Sequence, residues 1–224
     1  MNKKKEVKEV KYKNLKEFAK YEKEYNKEDV VLFNSYCLKS DYEVEREKGI
    51  MSNLYSGCSI PYCGYVFHSS EQLLFFVNFV KWGEMACKKS GEKYKDVPSL
   101  VNTIDFLMHL KDGKQVKNQP KTKFFFDNIN SWKKREFGRE KACFDGWKNL
   151  YFVIKMKYKY CKEFRDVLEK YNNKIYCENS HWGDNFCGVL WCDDIGKYKG
   201  INALGRVMKR VYLERKEIMK DVSI

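Results

Sequence analysis

The stretch Glu178-Asn179-Ser180-His181-Trp182-Gly183-Asp184-Asn185-Phe186-Cys187-Gly188-Val189 places two carboxylates six residues apart among aromatics, glycines and amides. Gly200-Ile201-Asn202-Ala203-Leu204-Gly205-Arg206 follows it. Glycine lets a backbone come close to a ligand, and Asp, Glu, Asn and His supply donors and acceptors for it. Carboxylates so placed suit general acid–base work on a polar ligand. A further carboxylate lies far upstream in Ser69-Ser70-Glu71-Gln72, which reads as a helix start with a Ser N-cap and an acid at the positive helix end. Burial there would raise the pKa of Glu71 and the helix terminus would lower it, so its charge state is open at this level.

The elements that must position these residues can be read along the chain. Residues 1–28 alternate Lys and Glu, with Leu15, Phe18, Ala19 and Tyr25 near helical spacing, and predict a charged helical leader before a domain at 29–224. Val30-Val31-Leu32-Phe33 predicts a buried strand. Residues 39–49 read as a charged loop, and Met51 to Gly57 as a polar turn with apolar anchors. Ile60 to Phe67, with Pro61 and Gly64, predicts a short edge hairpin. From Leu73 to about Lys88 the sequence is apolar nearly all round, which predicts a central buried helix. Pro98 opens another helix that Asp112-Gly113 ends, and Lys114 to Lys123 reads as a basic loop. Phe144, Trp147, Leu150, Tyr151, Ile154 and Tyr158 form a helical stripe, with Lys155, Lys157 and Lys159 assigned to the other faces. Phe164, Val167 and Leu168 predict a short helix, and Lys174 to Glu178 a strand. Asn202 is expected to cap a final helix through Leu204, Val207, Met208, Val211, Arg215 and Ile218, with Gly205 permitting close packing. The expectation is a helix-dominated α+β single domain with a small β-sheet and a central buried helix.

Composition narrows the class. The chain has 224 residues, of which 43% are hydrophobic and 16% aromatic, enough for a real core. No apolar run approaches the ~20 residues needed to span a bilayer, and no secretory signal is read at the N-terminus, so a cytoplasmic protein without a membrane partner is expected. The net charge is +13, and residues 111–175 carry 18 basic against 8 acidic side chains. An excess so concentrated suits a polyanionic partner. Nine cysteines without a Cys-x-x-Cys pair fit free thiols in a reducing compartment. Cys58/Cys63 and Cys187/Cys192 could in principle make a four-thiolate zinc site, but the spacing is wider than usual and no His reinforces it. A thiol nucleophile at Cys187 with His181 lacks an orienting third group. Neither a metal nor a cofactor is expected, and no P-loop or Gly-x-Gly-x-x-Gly fingerprint occurs.

The order of stretches carries a resemblance over roughly residues 30–216. Phe33-Asn34 comes first, then Ser52-Asn53-Leu54-Tyr55, then Ser70-Glu71-Gln72 opening an apolar helix. Gly138-Arg139 precedes Trp147 and Lys157-Tyr158. Glu178 precedes Asp184-Asn185-Phe186-Cys187-Gly188, and Gly200 to Arg206 leads into a helix. This resembles the NADAR, or YbiA-like, family of N-glycosidases acting on ADP-ribose or riboflavin-pathway compounds. The resemblance implies a YbiA-like fold with Glu71, Trp147 and Asp184 as catalytic residues. It also implies ligand contacts from Phe33, Asn53, Arg139, Lys157, Glu178, Trp182, Asn202 and Gly205. Two positions depart from the family pattern. Its Trp before Gly188 is Cys187 here, with Trp182 available as a substitute wall, and its His after the catalytic Glu is Gln72.

Breaking a bond between ribose C1′ and a nitrogen builds positive charge on the sugar. One carboxylate near C1′ stabilises that charge, and a second activates water or protonates the leaving base. Trp147 and Trp182 can stack on the base, and Lys or Arg can hold phosphates. The resemblance implies hydrolysis of the bond between ADP-ribose and a guanine base, and the +13 charge favours DNA as the carrier of that base. A phosphorylated riboflavin-pathway intermediate is the alternative substrate. A non-catalytic module that binds ADP-ribose or nucleic acid is the alternative of another class.

Overall fold

The computed structural model describes residues 22–78, 80, 105–110, 112–118, 139–180 and 187–220. Its strands are β1 (Lys23–Tyr25), β2 (Val30–Phe33), β3 (Ile60–Tyr62), β4 (Tyr65–Phe67), β5 (Ile175–Glu178), β6 (Leu190–Cys192) and β7 (Lys197–Gly200). Its helices are α1 (Glu43–Gly49), α2 (70–78), α3 (105–109), α4 (Gly113–Asn118), α5 (Arg139–Tyr160), α6 (Lys162–Lys170), α7 (Ala203–Leu213) and α8 (Arg215–Lys220). The expected helix-dominated α+β architecture is the one observed. In place of one small sheet the described residues form three: an antiparallel β1-β7-β6 sheet, a parallel β2–β5 pair and the β3–β4 hairpin.

The β2–β5 pair organises the described residues. Its register sets Val31 beside Tyr176 and Phe33 beside Glu178. Val31, Phe33 and Tyr176 face a large core with Met51, Leu73, Trp147, Ile154 and Leu204. Val30, Leu32 and Cys177 face a smaller cluster with Tyr25, Val189 and Tyr198. Burial on both faces is why the β2 sequence is an unbroken apolar run rather than an alternating one.

That smaller cluster also corrects the reading of the leader. Residues 1–21 lie outside the described residues, but Lys23–Tyr25 is a strand, not a helix. It pairs with β7, Tyr25 opposite Tyr198, because burying Tyr25 against this cluster outweighs a weak helical stripe. Residues 22–28 are therefore joined to the domain.

Two charged stretches expected as loops are helices. In α1, Glu43 and Glu45 occupy the first turn and Arg46 and Lys48 the last, the polarity that a helix dipole favours. Its one branched apolar residue, Val44, is exposed, so no apolar stripe marks the helix. In α4, Asp112 Oδ1 accepts from Lys114 N at 2.8 Å and Val116 is fully buried; a cap and one anchor make a turn of helix where basic composition suggested a loop.

The hairpin is as expected. Cys63 (φ 48°) and Gly64 (φ 79°) both take positive φ at its turn, the requirement of a two-residue type I′ connection. α5 and α6 match the apolar stripes that predict them. The final helix is two, α7 and α8, separated at Glu214.

Candidate active site

Glu71 stands in the first turn of α2, and α2 is held by several polar bonds. Ser69 Oγ accepts from Gln72 N at 3.1 Å. Gln72 Oε1 reaches back to accept from His68 N at 2.9 Å. This is a capping box whose return bond falls one residue before the cap. The Gln72 amide also donates to the carbonyls of Leu107 (3.0 Å) and Leu110 (2.6 Å). Gln72 is therefore a bolt between α2 and α3, and it is 1% exposed. The side chain that follows Glu71 is thus an amide bonded to the chain's own backbone.

From the other side, Glu71 N donates to Asn53 O at 3.0 Å. Asn53 belongs to the turn between α1 and β3, in which Leu54 N bonds to Ser52 Oγ and Tyr55 N to Ser52 O. Beside this turn α4 begins, its Gly113 N donating to Ser56 Oγ at 3.1 Å. A Cβ on Gly113 would lie 2.9 Å from the Leu54 backbone and 3.0 Å from Ser69 Oγ, so glycine permits this close approach. Glu71 itself is half-buried. Asn53, whose carbonyl holds Glu71 N, and Ser70, its neighbour in sequence, each carry a buried side-chain oxygen, Asn53 Oδ1 and Ser70 Oγ, without a hydrogen-bond partner among the described residues. Buried polar atoms are ordinarily bonded, so these two retain capacity for a ligand's donors.

A second group forms at the end of β5. Glu178 is half-buried and opposite Phe33, whose carbonyl accepts from Asn179 N at 2.8 Å. Val189 N donates to Glu178 O at 2.8 Å, and a Cβ on Gly188 would lie 2.4 Å from that oxygen. The Cys187-Gly188 segment meets the start of α7, with Asn202 N on Gly188 O at 3.2 Å and Leu204 N on Cys187 O at 3.1 Å. Phe33 itself is fully buried in the large core.

Two of the expected ligand contacts hold the fold together. Asn202 has the left-handed φ of 53° at the cap position but makes no side-chain cap bond. It is fully buried, and its amide donates to Tyr176 O at 2.9 Å and reaches Cys177 Sγ at 3.2 Å. Its amide ties α7 to β5 and does not cap the helix, while its buried Oδ1 has no hydrogen-bond partner among the described residues. Gly205 lies against the same strand, where an added Cβ would come 1.7 Å from Tyr176 O; its role is helix–strand contact. Burial pushes the Cys177 thiol up to about 12.

Lys157 is the clearest correction. The helical stripe assigns it to an outer face, yet it is fully buried. Its Nζ donates to Ile50 O (2.7 Å) and Ser52 O (2.8 Å) and lies 4.6 Å from the Phe164 ring centre. Burial pushes its pKa down from the ordinary lysine value. The sequence signal was present: Lys157 stands three residues after Ile154 and four before Cys161, on the buried stripe of α5.

Trp147 is 2% exposed in the large core, together with Phe33 and Leu73. Asp184 and Trp182 lie outside the described residues, as do His181 and the side chain of Arg139. Among the described residues no group of three or more His, Cys, Asp or Glu side chains is placed to hold a metal ion. No helix among them is long and apolar enough to cross a membrane.

Thus Glu71 and Asn53 are joined directly, Phe33 and Glu178 are joined across β2–β5, and both groups border the core that contains Trp147. No family model, no curated protein and no solved structure matches the chain.

Proposed function

We propose that the chain is an N-glycosidase that releases ADP-ribose from a guanine base in DNA. Water adds its oxygen to ribose C1′, the C1′–N bond breaks, its electron pair stays on the base nitrogen, and that nitrogen takes a proton. Glu71 and Asp184 are the two carboxylates of the step, one stabilising charge at C1′ and the other moving the proton. The observation that carries this reading is the setting of Glu71. A half-buried acidic residue stands at a braced helix start, and the two residues joined to it, Asn53 through a backbone hydrogen bond and Ser70 in sequence, each carry a buried side-chain oxygen with unused bonding capacity. Such fixed polar groups suit the hydroxyls and ring N–H groups of a nucleoside. The resemblance to NADAR proteins supplies the reaction, and the net charge of +13 supports a polyanionic carrier.

One observation favours the second reading, a small phosphorylated N-glycoside of the riboflavin pathway. Lys157 is internal, and Lys48, Lys162, Lys170, Lys197, Lys199 and Arg210 each pair with a carboxylate. These cations are less available to a nucleic-acid backbone. Salt separates the readings. Binding to DNA falls steeply with salt because each phosphate contact releases counterions. A small substrate gives a shallow slope. A protein that binds ADP-ribosylated DNA but releases nothing from it is the non-catalytic module.

A further inference from the structure

A lysine ammonium inside a core is costly unless its surroundings hold it. Among the described residues, no carboxylate pairs with Lys157. It faces two main-chain carbonyls, Ile50 O and Ser52 O, with the rings of Phe164 at 4.6 Å and Tyr55 at 5.6 Å and the thiols of Cys58 and Cys161 as its charge neighbours. Both carbonyls lie just past the end of α1, where Ile50 N, Met51 N and Ser52 N close successive tight turns onto Glu47, Lys48 and Gly49. A cation suits the carbonyl end of a helix. The next residue is Asn53, whose carbonyl receives Glu71 N at 3.0 Å and whose buried Oδ1 has no hydrogen-bond partner among the described residues.

The path is short and every link in it is a hydrogen bond or a peptide bond. α5 presents the ammonium, the ammonium fixes the 50–52 carbonyls, and the turn they define fixes both the Asn53 carbonyl and its amide. We infer that Lys157 is a positioning residue: its buried ammonium clamps the turn at 50–53 and thereby sets the Glu71 carboxylate and the Asn53 side chain in the geometry the reaction needs. This rests on the reading of Glu71 as a catalytic residue. Its structural half, the hold on the Glu71 amide, stands apart from that reading. The clamp explains why a lysine occupies a stripe position where Met or Leu would bury at no electrostatic cost.

The test uses the full chain as wild type, Lys157→Met and Lys157→Gln. Met fills the same length without donors, and Gln restores one amide donor. Amide hydrogen exchange is read residue by residue. The expected result for Lys157→Met is exchange at the Glu71 amide and at 53–55 faster by about 10-fold or more, with the α7 amides unchanged; Lys157→Gln falls between. On an oligonucleotide carrying ADP-ribose on guanine, kcat falls by about 10- to 100-fold with KM within about 2-fold, as a small misplacement of a reacting group does. Unchanged exchange at Glu71, or an equal rise across the chain, overturns the clamp. Should Lys157→Met not fold, Lys157→Gln is read by the same criteria. Should the wild type show no turnover, the glycosidase reading fails and the exchange result alone decides the clamp.

Discussion

The backbone N–H of Glu71 donates to the carbonyl of Asn53 at 3.0 Å, joining the first turn of α2 to a turn that sequence distance gives no hint of. Through this bond the proposed catalytic carboxylate and an amide with an unused buried oxygen share one frame. The frame is held at one end by Gln72 on the carbonyls of Leu107 and Leu110 and at the other by Lys157 on those of Ile50 and Ser52.

Asn53→Ala separates binding from folding. The side-chain oxygen has no hydrogen-bond partner among the described residues, so its removal strands no partner there, and the Asn53–Glu71 backbone bond remains. Urea unfolding is expected within about 0.5 kcal/mol of wild type. Loss of one ligand hydrogen bond, about 1 kcal/mol, is expected to raise KM by roughly 5-fold. A large loss of stability with unchanged KM would assign the side chain to the fold alone.

Gln72→Leu tests the bolt between α2 and α3. Leucine is apolar and of similar size but leaves His68 N and the Leu110 carbonyl without the Gln72 bond, and the Leu107 carbonyl with Leu110 N alone. A buried group left unpaired costs about 1–3 kcal/mol. A net loss of about 3 kcal/mol in chemical denaturation is expected.

Gly205→Ala tests the contact of α7 with β5. The new methyl would start 1.7 Å from Tyr176 O, which is backbone and cannot step aside. A loss of about 3 kcal/mol is expected, by the same denaturation measurement, because overpacking moves the helix off the strand. Gly64→Ala, at an exposed turn with open space around it, costs less and does so through its positive φ.

The strands and long helices were legible because they bury apolar patterns. β2 is a continuous run, and α5 and α6 carry clear stripes. The start of α2 was legible from Ser69 with Gln72 three residues on. What escaped was written in polar residues. α1 and α4 have almost no apolar signal, and their evidence is charge order and one Asp cap. The Lys23–Tyr25 strand depends on a partner, β7, that lies at the other end of the chain. Lys157 escaped because lysine is ordinarily an outer residue, although its spacing placed it on the buried stripe. Within the site, the Asn53–Glu71 bond is a tertiary fact with no local sequence signature.

Alkaline pH probes the α5–α7 contact. Burial, and then the hydrogen bond to the Glu214 carboxylate, push the Tyr151 hydroxyl up to about 12, above the ordinary value near 10. A raised folded pKa means that the fold favours the protonated phenol. Its stabilisation is present in full below about pH 10 and is lost as pH rises through about 12. Urea midpoints followed from pH 9 to 12 are expected to fall more steeply for wild type than for Tyr151→Phe. Parallel curves would place the phenol's titration outside the folding equilibrium.

The central claim is that Glu71 acts on an N-glycosidic bond. Its most direct test is ADP-ribose released from a guanine-ADP-ribosylated oligonucleotide by wild type and by Glu71→Gln, with binding of the same oligonucleotide measured alongside. Release by wild type is expected, with a fall of about 10²- to 10⁴-fold in kcat for Glu71→Gln and binding within a few-fold. Equal release by both proteins, or none by wild type, would contradict it.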